Sequence, residues 1–511
     1  MHVFAARTAT RILFACIALL AIAITFAAPA IAQAPPPPFT DSPGLPIGEP
    51  QSARVTALID AANSGDRAEA VAFIEENLTP RLREQLSDRD LVRFLLDVSR
   101  RFGRLELHGL RTYAPPRPPT NRTVIVHSEL RDSWDAFQIE FEPDAPHRID
   151  NLSLLPARPP ADARSTEPLT LEQATEQLKT YLERLAEADA YSGTALLAKD
   201  GEVIFTFVRG EASKAFAAPN KLDTKFNLGS MNKMFTAVAV AQLVEAGKLS
   251  FDDPLDKHLG PDWIAPEHAA KITIGHLLSH TAGLGSHFTE DFWNSSRTRF
   301  RNLDDFKALV APQAPAFDPG TSWAYSNSGF LLLGAVIEKV SGENYDAYVE
   351  THIVKPAGMT GTGCFEMDID TPNLAIGYTR DFGPGDEPRW ANNVFLHVIK
   401  GGPAGGGFST AEDLLRFDQA LRAGKLVSKG MLVTLWSPKP SSPTYGYGFQ
   451  LGGLPGGRAN RIAGHGGGFS GISSVLDMHL DTGFTFVALS NYDDGAVLAG
   501  RKCRELLSRV R

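Results

Sequence analysis

The chain has 511 residues, 43% of them hydrophobic and 21% charged, with a formal net charge of -9. That composition belongs to a globular protein with an ample core and length for two or three domains. Mild acidity and the lack of a long basic run exclude an electrostatic nucleic-acid binder.

Residues 1–32 read as a signal peptide. Arg7 and Arg11 precede the apolar run from Ile12 to Phe26, and Ala30-Ile31-Ala32 supplies the small-x-small cleavage pattern. The run is short for a bilayer and Pro35-Pro36-Pro37-Pro38 follows at once, so cleavage and export to the periplasm or medium are expected, not a membrane anchor. No other stretch is a transmembrane candidate. Residues 33–50, rich in Pro and Gly, read as an extended linker. Cys16 leaves with the signal. Cys364 and Cys503 remain; export would permit a disulfide, and neither lies in a metal-ligand pattern.

Residues 51–155 form a segment of their own. Val55 to Ala62, Arg67 to Leu78 and Asp88 to Phe102 carry helical apolar spacing. Arg104 to Tyr113, Arg122 to Leu130, Trp134 to Phe141 and Arg148 to Leu155 read as strands. Helices followed by strands predict a small α+β module, of cystatin or nuclear-transport-factor shape, with no catalytic constellation. His108, His127 and His147 are scattered within it. A second linker covers residues 156–168, and residues 169–511 make the large domain.

In the large domain, a helix from Leu171 to Ala188 leads into a hairpin, Gly193 to Ala198 and Val203 to Arg209, around Lys199-Asp200-Gly201-Glu202. A helical, loop-rich stretch runs from Asp252 to about Ala423. Strand character returns at Tyr447 to Leu451, Ile462 to His465, Ile472 to Met478 and Phe484 to Ser490, before a last helix from about Gly495 to Val510. The expected fold is α+β: an antiparallel sheet flanked by helices with a helical subdomain beside it.

The chemistry gathers at three places. Ser230 and Lys233 sit three apart at the start of an apolar helix, so hydroxyl and ammonium share a face, and Gly247 ends that helix. The unpaired amides of the helix start favour negative charge there. Tyr325-Ser326-Asn327 follows a Pro319-Gly320 loop; in extended backbone Tyr325 and Asn327 point to one side, bringing a phenol and an amide to a common cleft. His465-Gly466-Gly467-Gly468 ends a strand, where glycines let backbone approach a ligand closely. The Gly468 N–H is then an oxyanion donor and His465 a polar group at the rim. An HGGG loop also occurs in α/β-hydrolases, but there it precedes a G-x-S-x-G elbow, and none is present. His276 and His280 have the i,i+4 spacing of a zinc pair but lack the Glu and third ligand, so a structural role is expected. The aromatic segment Phe288 to Phe300 suits either the lining of the cleft or the packing of the helical subdomain.

Taken in this order, S-x-x-K, Y-x-N and H-G-G resemble the motifs of the class C β-lactamase and penicillin-binding-protein-like family of serine hydrolases. Leu277-Leu278-Ser279-His280-Thr281-Ala282-Gly283-Leu284 is similar to the family's LLxHTSGL stretch, and Gly247-Lys248-Leu249-Ser250-Phe251-Asp252-Asp253-Pro254 to its GKLxLDDP stretch. The resemblance implies that Ser230 forms an acyl-enzyme, with Lys233 and Tyr325 sharing general base and acid roles. It implies that Asn327, His465, Gly467 and Gly468 bind substrate or the oxyanion, with the Ser230 and Gly468 N–H groups as donors. A small-molecule or peptide acyl substrate is implied, and no cofactor or metal. His465 and Gly466 stand where the β-lactamases carry the Lys and Thr of Lys-Thr-Gly. That departure favours esters, small amides or D-amino-acid peptides over a β-lactamase or D-Ala-D-Ala carboxypeptidase. A non-catalytic penicillin-binding-like sensor is the reading from another class, and the intact set Ser230, Lys233, Tyr325 and Asn327 speaks against it.

Overall fold

The computed structural model describes residues 38–163, 165–382, 388–453 and 461–511. The expected signal peptide, Cys16 and the first part of the linker lie outside the described residues. The chain divides into two compact units between Glu167 and Pro168, the second running to Arg511 apart from Phe382–Pro388.

The first unit places β1 (Phe39–Pro43) ahead of α1 (Pro50–Ser64), α2 (Arg67–Asn77), α3 (Pro80–Gln85) and α4 (Asp88–Phe102). Then come β2 (Leu105–Tyr113), β3 (Asn121–Ser128), β4 (Ser133–Phe141) and β5 (Ile149–Pro156). The five strands form one antiparallel sheet in chain order. Polar caps start the helices: Asp66 accepts from the N–H groups of Ala68 and Glu69, Thr79 from Leu82 and Ser87 from Asp90. Phe73, Leu95, Val124, Phe137 and Ile149 bury the helix–sheet interface.

Two features escaped the apolar spacing. Helix α3 is a short turn-and-a-half held by its Thr79 cap. Strand β1 occupies residues taken for linker: the Asp41 carboxylate lies 2.7 Å from Arg111 Nε, and the Arg111 guanidinium stacks 3.9 Å from the Phe39 ring. An edge strand tolerates the flanking prolines that suggested free chain.

The second unit opens with α5 (Leu171–Glu187), started by a reciprocal Thr170–Gln173 capping box. Its sheet is built from β6 (Gly193–Lys199), β7 (Glu202–Arg209), β8 (Gln450–Gly453), β9 (Arg461–Phe469), β10 (Ile472–His479) and β11 (Phe484–Ser490). The order is β8-β9-β10-β11-β6-β7, antiparallel throughout. First and last strands are therefore neighbours, and residues 210–449 form a mostly helical insertion between them. Every residue of β10 and β11 is buried, because helices cover both faces. Helices α5 and α9 (Gly495–Leu507) cover one face. On the other, Leu196, Leu476 and Val487 share a core with α6 (Asn232–Glu245) and α8 (Ala411–Arg422). The insertion also carries α7 (Asn327–Ser341), packed against α6. The expected class is thus what the molecule has.

Cys364 and Cys503 are both free thiols. Among the described residues, no helix is long and apolar enough to cross a membrane.

Phe235 of α6 meets Phe417 of α8 edge-on, with ring centroids 4.9 Å apart. Phe417 is fully buried. Phe417→Ala opens a cavity behind α6, and urea unfolding should register a loss of about 3–5 kcal/mol.

Candidate active site

Residues Phe226–Asn227 form a short strand paired with Phe408–Ser409. Gly229, at φ 51°, turns the chain out of it, in a region of backbone space that glycine enters freely. One 3₁₀ turn, Gly229–Met231, then leads into α6, placing Ser230 just ahead of that helix and Lys233 in its first turn. Strand β9 passes so close that a Cβ on Gly467 would lie 1.9 Å from the Leu228 carbonyl oxygen. A Cβ on Gly229 would lie 3.1 Å from the Gly468 nitrogen. The Gly466 N–H leaves the ladder to donate to Gln450 Oε1 at 3.1 Å. Strand alternation turns the Gly468 N–H to the same side, away from β10 and toward the Ser230 turn. The Gly468 nitrogen therefore lies beside the turn that carries Ser230.

Lys233 has no exposed surface. Its Nζ donates to Asn327 Oδ1 at 2.8 Å and to the Ala404 carbonyl, and stands 3.3 Å from Ser230 Oγ. The Tyr325 and Phe330 rings lie 4.8 and 5.4 Å away. Burial holds its pKa well below the ordinary 10.5. Desolvation is the cause of that shift.

The Ala404 carbonyl belongs to the glycine-rich run Gly401-Gly402-Pro403-Ala404-Gly405-Gly406-Gly407, which sequence reasoning left inside the loop-rich stretch. This loop is tied to the Ser230 turn along its length. Gly406 N–H donates to Gly229 O, Leu228 N–H to Gly407 O, and Asn232 Nδ2 to Gly402 O at 3.1 Å. The Thr236 hydroxyl donates to Pro403 O at 2.8 Å. A backbone carbonyl has no side-chain signature, so only the run of glycines hinted at a close approach.

Tyr325 is half-buried, and its phenol hydrogen-bonds with Ser230. Burial raises its pKa despite that contact. Asn327 opens α7, whose cap Ser326 accepts from Gly329 N–H at 2.9 Å. Its amide spans the site, accepting from Lys233 and donating from Nδ2 to Ser286 Oγ at 3.2 Å. His280 holds the Tyr325 loop: its Nδ1 accepts from Ser326 N–H at 3.1 Å and its ring lies 4.3 Å from the Tyr325 ring. It adopts φ 61°, a strained conformation for a non-glycine. His276 Nδ1 accepts from Thr273 N–H at 3.2 Å. Both rings of the zinc-like pair are therefore used to hold backbone.

His465 departs from its expected place. It is 2% exposed and not at the rim, because residues 465 and 467 share the inward face of β9. Its Nδ1 lies against Gly466 O and its Nε2 2.8 Å from the Tyr445 hydroxyl. The carbonyl fixes the tautomer: Nδ1–H donates to it and the Tyr445 O–H donates to Nε2. Burial, and then the nearby Lys233, push the His465 pKa down to about 3. It is neutral at physiological pH. Gly467 contributes closeness of backbone more than contact with ligand. Tyr445 was missed, since a buried tyrosine in a Gly-rich strand start looks like ordinary core.

The aromatic segment is unevenly buried. Phe292 and Phe300 are buried in the core, whereas Phe288 and Trp293 are only partly covered.

A family model described as Beta-lactamase matches residues 178–507. The chain is 32% identical over 349 residues to the putative penicillin-binding protein PbpX of Bacillus subtilis (strain 168), covering 68% of this chain and 82% of that protein. It is 28% identical over 322 residues to the esterase EstB of Burkholderia gladioli, covering 57% and 77%. A solved D-stereospecific amidohydrolase from a Streptomyces species superposes with a TM-score of 0.52 at 29% identity, covering 63% of this chain and 94% of that one.

The state of the Lys233 amine leaves a trace in stability. With its folded pKa lowered, the unfolded chain binds the extra proton above that value, so stability is complete above the ordinary 10.5 and falls as pH drops toward the folded pKa. Urea unfolding between pH 7 and 10 should therefore show wild type gaining on Lys233→Met as pH rises, at up to about 1.4 kcal/mol per pH unit. No difference in slope would mean a charged amine.

Proposed function

The chain belongs to the Beta-lactamase family of serine hydrolases, and on that premise we propose that it is an exported enzyme that cleaves esters or small amides, D-amino-acid peptides included, through an acyl-enzyme on Ser230. The observation that carries this reading is the hydrogen bonding of the wholly buried Lys233. A neutral amine has two N–H bonds, and Asn327 Oδ1 and Ala404 O accept both. Its lone pair then faces Ser230 Oγ and accepts the serine proton, while the neutral Tyr325 donates to the same oxygen. Lys233 is the base of this resting arrangement.

On attack, the Ser230 Oγ–carbonyl bond forms and the proton passes to Lys233. The carbonyl oxygen becomes an oxyanion between the Ser230 and Gly468 N–H groups. The proton returns through Tyr325 to the leaving group as its bond to carbon breaks. Water repeats the sequence and frees Ser230. Asn327, braced by Ser286, keeps the amine in place.

Neutral His465 supports the choice of substrate. Where the β-lactamases place a lysine for a carboxylate, this chain has an uncharged ring committed to Tyr445 and Gly466. The esterase and amidohydrolase among its relatives agree with ester and amide substrates. The apolar run behind Arg7 and Arg11 supports export.

A fluorophosphonate probe should label wild type at Ser230 and leave Ser230→Ala unlabelled with stability unchanged; a folded wild type that resists the probe would end the hydrolase reading. Labelling should rise with pH to a plateau as Lys233 loses its proton. In Lys233→Arg, which stays cationic, it should fall by about a hundred- to ten-thousandfold. Turnover of p-nitrophenyl esters and D-amino-acid p-nitroanilides should exceed that of nitrocefin. A wide preference for nitrocefin would overturn the substrate choice.

A further inference from the structure

Beyond the Gly468 amide, the inward face of β9 continues to Phe469, two residues on from Gly467 and on the same side of the strand. Phe469 is partly exposed, as are Phe288 and Trp293. The three rings form one surface. Trp293 and Phe469 lie parallel, within 5° and 6.3 Å between centroids, Phe288 stacks on Trp293 at 5.8 Å, and Phe288 meets Phe469 at 5.6 Å.

This surface is hooked to the reacting centre at both ends. Phe469 follows the oxyanion donor directly in the chain. Phe288 N–H donates to Ser286 Oγ at 3.3 Å, the oxygen that also accepts from Asn327. Arg297 fixes the wall from behind. Its guanidinium donates to the carbonyls of Phe292, Trp293, Ser295 and Leu396, and it stacks 5.1 Å from the Trp293 ring. Its donors are thus turned to backbone within the wall, and it binds the Trp293 turn to the loop holding Phe395 and Leu396. Phe395 is 82% exposed on that loop, and the buried His397 sets its ring edge-on to Phe469 at 6.4 Å.

A packed subdomain has no need to leave aromatic rings partly open beside a nucleophile; a site that takes apolar groups has. The leaving group must lie toward Tyr325, which returns its proton. The acyl group then projects the other way across the carbonyl, past Gly468 and toward Phe469, the next residue of the strand. We propose that Phe288, Trp293 and Phe469 form the acyl-binding shelf of the enzyme and select substrates whose acyl group is uncharged and aromatic or extended aliphatic. This rests on the serine hydrolase reading above.

The test uses p-nitrophenyl acetate, octanoate and phenylacetate, which share a leaving group and differ only in the acyl part. Wild type should prefer phenylacetate and octanoate to acetate in kcat/KM. Trp293→Ala and Phe469→Ala should each lower the phenylacetate-to-acetate ratio by about tenfold to a hundredfold, and Trp293→Phe should keep most of it. The ratio cancels any general loss of active enzyme, and fluorophosphonate labelling of Ser230 in each variant shows that the centre is intact. A preference for acetate in wild type, or a ratio that stays within about twofold in labelled Trp293→Ala, overturns the shelf and leaves the hydrolase. If wild type neither labels nor turns over any of the three esters, the hydrolase reading falls and the shelf with it.

Discussion

A lysine amine without solvent is the constraint around which the second unit is arranged. Burial disfavours its charge, and an amine left without partners would cost several kcal/mol. The chain meets that demand from far apart in sequence. Asn327 reaches it because Ser326 caps α7 and His280 holds the preceding loop. Ala404 reaches it because the glycine-rich loop lies along the Ser230 turn, clipped by Asn232 and Thr236. The same close packing brings β9 to Leu228 and the Gly468 nitrogen to Gly229. Ser230, Lys233, Asn327 and the Gly468 amide are therefore not independent attachments to a scaffold. They are consequences of closing one polar group into the core beside a serine.

The electrostatics follow from that closure. Burial lowers the pKa of His280 well below its ordinary value and lowers His465 to about 3. Both imidazoles are spent on local bonds, His280 on the Ser326 amide and His465 on Tyr445 and Gly466. Burial pushes amine, phenol and imidazoles alike toward their uncharged forms, and charge that develops among them would be met by fixed N–H dipoles. Such a site offers little to a substrate that arrives charged. Selection by an apolar surface beside the carbonyl is the complement to such a centre.

Much of this was legible in the chain because the informative contacts are local. Ser230 and Lys233 share one turn, and Tyr325 and Asn327 flank one cap. The strands β10 and β11 read correctly as apolar runs between turns, β9 was read only as far as His465 and runs on to Phe469, and in the first unit α2, α4 and β2 to β5 followed from periodicity. What stayed hidden has physical reasons. The Ala404 carbonyl belongs to backbone, and its relation to Lys233 spans 171 positions. Ser286 and Tyr445 act through single hydrogen bonds that leave no periodic pattern. His465 was expected at the rim because a histidine is polar; strand alternation instead sent it inward with Gly467 and left Gly468 at the opening. Strand β1 was hidden by its prolines, which an edge position accommodates.

The charge of Lys233 can be observed directly. Selective ¹³Cε labelling of lysine, with the Lys233 signal assigned by its loss in Lys233→Met, allows the amine to be titrated by NMR in the folded protein. The structure predicts a midpoint well below the ordinary 10.5. A midpoint at or above 10.5 would contradict the account, since a permanently charged Lys233 could hold Ser230 but not accept its proton.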